Sequence, residues 1–366
     1  MKLHVVSFQV PFPADYGGAI DVYYKLKALK EKGYEVTLHT FVYGNRSMQR
    51  ALEKLCTRVY YYRRRTGLRQ QFSVLPYIVS TRRNKELLRQ LCQDNAPILF
   101  EGLHTCYYLD HPALEHRKKI VRMHNIEHEY YWQLALQAKL NWRAVYYLVE
   151  ALRLRFFERK LHHSQLICAI TQADAQKLSK RYTDTSVIHL PCFFDTSSPQ
   201  TIAETRRFVL YQGNLSVEEN HRTATFILRQ IAPRCPDVQF VIAGRDPHLG
   251  DVPPNVQVVP NPTDSELDML LCTARIHLML TFQPTGIKLK LLNALIKGQG
   301  HIIANHDMLY GHSLGQFCVS ADKTSEIVRS IQQLIDQPIE ASELEKRKEN
   351  LQKIKKAGIS RLSLFQ

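Results

Sequence analysis

Short apolar runs alternate with longer stretches whose apolar residues return every three or four positions, the pattern of strands alternating with helices. Leu3–Phe8 reads as a strand, Gly18–Lys32 as a helix with Gly33 at its C′ position, and Glu35–Phe41 as the next strand. Further strands are predicted over 96–102, 118–125, 165–171 and 186–191. Between them, Trp142 to His162 carries Val145, Leu148, Leu152 and Phe156 at helical spacing. Residues 195–203 are small and polar with no period, which marks a linker. The pattern then restarts. Strands are predicted over 207–213, 238–244, 256–260 and 276–280, and helices over 220–231 and from the Thr263-Asp264 cap to Ala274. Gly286 opens a further helix, Gly298 closes it as a C′ glycine, and His301–Asn305 follows as a strand. The tail, Ala341–Phe365, reads as helical. Two series of alternating strands and helices predict two consecutive parallel α/β domains, 1–195 and 196–345, with 346–366 a terminal helix.

In open parallel sheets a ligand crevice lies outside the C-terminal ends of the strands. Four pieces fall at such ends: Asp15–Gly18, Glu101–His104, His124–His128 and Thr285–Lys290. Gly17-Gly18 lets backbone approach a ligand closely or makes a tight turn, and no G-x-G-x-x-G dinucleotide fingerprint is present. Lys288 and Lys290 stand on the first turn of a predicted helix, where free N–H groups and the helix dipole favour an anion such as a diphosphate. An ordinary strand–helix–strand unit with solvated lysines has the same pattern. His124-Asn-Ile-Glu-His128 matches a zinc-protease pattern, but that chemistry needs both histidines on one helical face, and here the motif starts at a strand end.

Composition narrows the field. At 366 residues, 45% hydrophobic and 23% charged, the chain has enough material for two cores. No apolar run approaches the ~20 residues of a membrane span, and the short apolar run at the N-terminus reads as a strand, not a signal peptide. Eight scattered cysteines without a CxxC pair suit reduced thiols in the cytoplasm. A net charge of +15 calls for an anionic partner, yet no nucleic-acid-binding signature is present. Arg58–Arg89 holds nine basic residues against the single acid Glu86, with apolar residues between them. That composition fits either peripheral attachment to an anionic membrane surface or a solvated basic face. Arg153, Arg155, Arg159 and Lys160 form a second basic stretch with the same two readings.

The stretch Gln283–Gly298, with Leu291-Leu-Asn-Ala-Leu295, resembles the donor segment of retaining GT-B glycosyltransferases, the family of sucrose-, mannosyl- and glucosyl-transferases. Gly213-Asn-Leu, Asn220 and Val241-Ile-Ala-Gly-Arg245 resemble that family's second domain in order and spacing, so the likeness covers nearly the whole chain. It implies two Rossmann-like, doubly wound domains facing a central cleft, with the C-terminal helix crossing back to the first. It implies transfer from a UDP- or GDP-linked sugar to a hydroxyl of a glycan or lipid-linked glycan, with no cofactor and no metal, in bacterial surface polysaccharide synthesis. His124 and Lys290 take the catalytic positions. Gly213, Asn214, Arg245, Thr285, Gly286, Lys288 and Asn293 take donor-binding positions, and Asp15, Gly17, Gly18, His104 and Glu127 acceptor-side positions. The family's two acids are replaced by Thr285 and Asn293, and Asn214 and Asn220 stand where it often has Arg and Lys. A non-catalytic nucleotide-sugar binder or partner subunit therefore stays open, as does a zinc protease.

Overall fold

The computed structural model describes residues 1–138, 141–195, 204–245, 247–283, 288–311 and 314–366. The early apolar runs become β1 Lys2–Ser7, β2 Glu35–Val42, β3 Arg58–Arg63, β4 Ile98–Glu101, β5 Lys119–Met123, β6 Leu166–Ala169 and β7 Ser186–His189. They pair in parallel in the order β3-β2-β1-β4-β5-β6-β7. A second series, β8 Arg206–Asn214, β9 Gln239–Arg245, β10 Val256–Pro260, β11 Ala274–Met279, β12 His301–Ala304 and β13 Val319–Ser320, forms a parallel sheet in the order β10-β9-β8-β11-β12-β13. The chain divides into two compact units. Met1–Asp195 and Ile354–Gln366 belong to the first, Thr196–Pro284 and Lys288–Lys353 to the second.

Strands covered on both faces are apolar at nearly every position, which is why they read as continuous runs. In the first unit Val6, Phe100, Val121 and Ile167 build one core layer and Val5, Leu38, Leu99 and Ile120 the other. Each sheet has one place where strand order reverses, between β1 and β4 and between β8 and β11. Chains leave such a point in opposite directions, which opens a crevice beyond the strand ends.

Three local expectations change. Arg58–Arg63, read as basic surface, is the edge strand β3, with Tyr62 buried in the core. The helix opened by Gly286 starts at Leu289, and Gly286 itself lies outside the described residues. Gly298 is not a left-handed C′ glycine: its backbone is extended, at φ −74° and ψ 136°. A Cβ there would lie 2.3 Å from the Ala294 carbonyl oxygen and 2.5 Å from His277 Nε2, so close packing accounts for the glycine. Gly33, at φ +77°, does hold the left-handed conformation after helix Gly17–Glu31.

Candidate functional site

In the first unit the ends of β1, β4 and β5 carry Phe8, Glu101 and His124. Phe8 joins them: its ring is 5.3 Å from that of His104 and 5.4 Å from that of His124. Gly18 serves this packing, because a Cβ on it would stand 2.4 Å from Phe8 Cζ. Gly17 is the first residue of helix Gly17–Glu31. Asp15 is half-exposed and pairs with Arg46, which also donates to the carbonyls of Val10 and Pro13. Its carboxylate closes its own loop.

Beneath His124 lies a buried charge network. Lys25 Nζ donates to Asp21 Oδ2 at 3.0 Å and to Glu101 Oε1 and Oε2 at 2.7 and 2.9 Å. Arg122 donates to Asp21 Oδ2 and Oδ1 at 3.2 and 3.1 Å. Two carboxylates thus face two cations, all fully buried. Burial alone would raise the Asp21 carboxyl, but Arg122, Lys25 and His124 outweigh it and hold it well below the carboxylate range. Glu101 is lowered likewise, burial being overcome by Lys25 and the His124 bond. His124 Nε2 lies 3.0 Å from Glu101 Oε2. A carboxylate only accepts, so that contact places a ring N–H on Nε2 and leaves Nδ1 as the atom a ligand would meet.

Asp21, Glu101 and His124 are spaced closely enough to hold a cation. The Lys25 ammonium already stands between both carboxylates, and Arg122 holds the first, so this donor set does not fit a metal centre. The H-x-x-E-H residues do not converge either. His124 precedes helix Glu127–Gln137 and turns to Glu101, His128 Nδ1 meets Glu158 at 2.9 Å, and Glu127 faces His104. The zinc-protease reading fails on this geometry.

Glu127 is 3% exposed, and its Oε1 has no hydrogen-bond partner. His104 Nδ1, also unpartnered, lies 3.9 Å away, too far for a direct bond. Burial raises the Glu127 carboxyl to about 8, with Glu158 adding to it against Asn125 and Arg82. Burial, with Arg82, His124 and Arg64 close by, holds His104 well below the usual imidazole range. Both groups are therefore uncharged at neutral pH, and the gap suits a hydroxyl that donates to one and accepts from the other.

The Glu127 shift has a testable sign. Unfolded, the carboxyl ionises near its ordinary value, about 4.3; folded, it holds its proton to about 8. The native state binds more protons through that window, so this group makes stability fall as pH rises from about 4 to about 8, with no further loss above. Glu127→Gln should therefore gain on the wild type steadily across the window, read by urea unfolding at about pH 5, 6.5 and 8. A difference independent of pH would mean the carboxyl is ionised throughout.

In the second unit, β8 ends in Gly213-Asn214, and Gly213 pairs in register with Gly244 of β9 and Asn214 with Arg245. Arg245 is exposed. Asn214 accepts from the Ser216 amide and hydroxyl, and its carbonyl accepts from Asn220 Nδ2 at 2.9 Å. Lys290 Nζ donates to the Leu280 carbonyl at 2.9 Å and Asn220 Oδ1 at 3.2 Å, and reaches the Tyr211 hydroxyl at 3.4 Å. Lys288, the N-cap of helix Leu289–Lys297, approaches Glu219 Oε1 at 3.6 Å, and Glu219 also accepts from the Thr281 hydroxyl. Two ammoniums thus stand at a helix N-terminus with one carboxylate, which pairs with Lys288, while Lys290 is held by neutral groups. Burial lowers Lys290 to about 8, Glu219 opposing and Lys288 adding. Lys288 is also lowered by burial against Glu219. Asn293 is half-buried on the same helix. Thr285 and Gly286 lie outside the described residues.

Sequence reasoning missed Glu219, Tyr211, Asp21, Lys25 and Arg122. Arg122 left a signal: an arginine inside an apolar strand run must find a buried carboxylate.

No family model matches the chain. A Klebsiella pneumoniae protein described as an uncharacterized 44.6 kDa protein in the cps region is 24% identical over 314 residues, 80% of each chain. Among solved structures, TarM superposes with a TM-score of 0.68 at 10% identity, covering 100% of this chain and 98% of that one. The sucrose-phosphate synthase of Thermosynechococcus elongatus does so at 0.69 and 14%, with coverage of 100% and 98%. The UDP-forming α,α-trehalose-phosphate synthase of Burkholderia vietnamiensis does so at 0.61 and 11%, with coverage of 98% and 97%. The fold is GT-B: two parallel-sheet α/β units of seven and six strands.

Proposed function

We propose that the protein is a glycosyltransferase that moves a sugar from a UDP- or GDP-linked donor to a hydroxyl of a glycan or lipid-linked glycan, in bacterial surface polysaccharide synthesis. The observation that carries this reading is the two lysines at the N-terminus of helix Leu289–Lys297, Lys288 beside Glu219 and Lys290 held by Asn220, beyond the switch point of the second sheet. Excess positive charge fixed beside free helix N–H groups stabilises a leaving diphosphate as its charge develops. TarM has been solved with UDP, two of the trehalose-phosphate synthases are described as UDP-forming, and the Klebsiella relative belongs to a cps region, all of which fit.

In this reading Lys290, held by Asn220 and the Leu280 carbonyl, and Lys288 face the diphosphate. Gly213, Asn214, Arg245 and Asn293 line the donor side, with Thr285 and Gly286 belonging to it by their place in the sequence. His124 presents Nδ1 to the reacting sugar or acceptor, fixed by Glu101. His104 and Glu127 bracket an acceptor hydroxyl, and Asp15, Gly17 and Gly18 shape the loop beside them. The lysines supply the charge neutralisation that a metal would otherwise provide, and the transfer retains configuration. The protein works in the cytoplasm, peripherally on the inner face of the membrane, through the basic segment Arg58–Arg89. No described helix is long and apolar enough to cross a bilayer.

The test is a thermal-shift series with UDP, GDP, ADP and CMP, with and without a divalent ion. A ligand of the native state raises the melting temperature by mass action. We expect UDP or GDP to do so without metal. No response to any of the four at millimolar concentration would remove the donor site. Nucleotide binding without turnover of the matching sugar donor would favour the non-catalytic subunit, to which the loss of both family acids already points.

A further inference from the structure

Helix Trp142–Phe157 buries Glu150, Ala151, Leu154 and Phe157 against its unit. Its other side is also apolar. Trp142, Val145, Val149, Leu152 and Phe156 follow at intervals of three and four, and Trp142 is 74% and Phe156 61% exposed. At about 100° per residue this row lies roughly half a turn from the buried one. Nothing among the described residues covers it. A second exposed apolar group, Leu68, Phe72 and Val74, is 72, 82 and 91% exposed. It is tied to the same helix, because Arg153 donates to the Gln71 carbonyl at 3.1 Å and Glu150 accepts from the Tyr77 amide at 2.7 Å. Other apolar residues of the basic segment, Ile78, Val79 and Leu87, are core.

Charge says what covers this surface. Between Trp142 and Lys160 the acids are Glu150 and Glu158, both buried and bonded, Glu150 to Tyr77 and Arg153, and Glu158 to His128 and Arg181. The exposed charges beside the row are Arg143, Arg155 and Arg159, joined by Arg65 and Arg69 near Leu68. Arg143 stacks over Trp142 and Arg159 over Phe156. A second copy of the chain packed on this face would set arginines against arginines, which is unfavourable. An anionic leaflet offers what the face lacks: acyl chains for the row and phosphates for the arginines.

We propose that helix Trp142–Phe157, with the 68–74 turn, is a membrane-docking surface that lies flat in an anionic lipid interface. Trp142 to Phe156 spans about 21 Å, too short to cross a bilayer and long enough to seat along its surface. This deepens the attachment part of the reading above and moves its centre from the basic segment to this helix. It is independent of the transfer chemistry.

The two tryptophans of the chain, Trp132 and Trp142, stand on adjoining helices here, so the protein carries its own probe. In Trp132→Phe protein, vesicles of phosphatidylcholine with about 30% phosphatidylglycerol should shift Trp142 emission to the blue and sediment the protein, and phosphatidylcholine alone should not. Val149→Asp with Leu152→Asp should abolish both responses. Arg143→Gln, Arg155→Gln and Arg159→Gln together should weaken binding about 100-fold at low salt. All five positions are exposed or edge positions, so melting temperature and nucleotide response should hold in these variants. Absent blue shift and sedimentation would overturn the proposal. So would a concentration-dependent dimer, by light scattering, that Val149→Asp and Leu152→Asp dissolve. Vesicle binding that persists when no nucleotide binds would remove the transferase reading and leave the docking surface standing.

Discussion

Lys25→Met is expected to destabilise the first unit by about 3–5 kcal/mol at neutral pH, the range seen when one partner of a buried ion pair is removed. Native domains hold only ~5–15 kcal/mol in total, so this single change should bring the unit close to unfolding. The methionine keeps most of the lysine's volume, which isolates charge from packing. What remains is Asp21 bonded to Arg122, and Glu101, also fully buried, bonded to the His124 ring. The burial that Lys25 had offset is then opposed chiefly by the His124 bond, and the Glu101 carboxyl rises. Acid should therefore rescue the variant. In the wild type, Glu101 and Asp21 have lowered values, so their contribution is present above their unfolded values near 4 and is lost as pH falls further. In the variant, protonating Glu101 removes the uncompensated charge, and the gap to wild type should narrow between about pH 7 and pH 4. Urea unfolding at both ends checks it. A gap that stays constant would show that Glu101 finds another cation.

Lys290→Ala should lower transfer by about 100- to 1000-fold, the cost of losing one fixed group that stabilises charge developing in the transition state. It should also abolish the thermal response to the diphosphate. The ammonium, at about 8 in the free protein, is charged below that pH and loses its proton as pH rises through it. A bound diphosphate favours the charged form, so binding above about pH 8 should draw a proton from solution. Titration calorimetry in buffers of different ionisation enthalpy reads that uptake directly. A structural role alone would also lower the melting temperature, through the bonds to Leu280 and Asn220, but would leave no proton linkage. Unchanged transfer in the variant would refute the leaving-group role.

The sheets were legible because strands buried on both faces show little else but apolar residues; Ile98–Glu101 and Leu166–Ala169 could hardly be read otherwise. The edge strand Arg58–Arg63 hid behind its arginines, since an edge has only part of its surface to bury. The candidate site was readable in outline where polar residues gather at strand ends, as at His124 and Glu127, and opaque where partners meet across the fold. Asp21 and Lys25 are spaced like a solvated i,i+4 pair, and only Glu101, 76 residues beyond Lys25, makes them a buried knot. Glu219 reads as one of two acids suiting a helix N-terminus, and its meeting with Lys288 depends on the neighbouring β8 and β11. Gly298 misled for a related reason: a glycine after a helix suggests a turn, and here it clears space for His277.

The short helix Arg361–Phe365 has a consequence for biosynthesis. Leu362 and Phe365 are wholly buried in the core that also holds Leu3, Val5 and Leu29, and the Tyr34 hydroxyl donates to the Leu362 carbonyl at 2.6 Å. A nascent chain emerges N-terminus first, and its domains ordinarily fold in that order. Here the unit whose strands leave the ribosome first must wait for Leu362, made 173 positions after the end of β7 at His189, before its core can close. Until then its sheet carries an unfilled seat for Leu362 and Phe365.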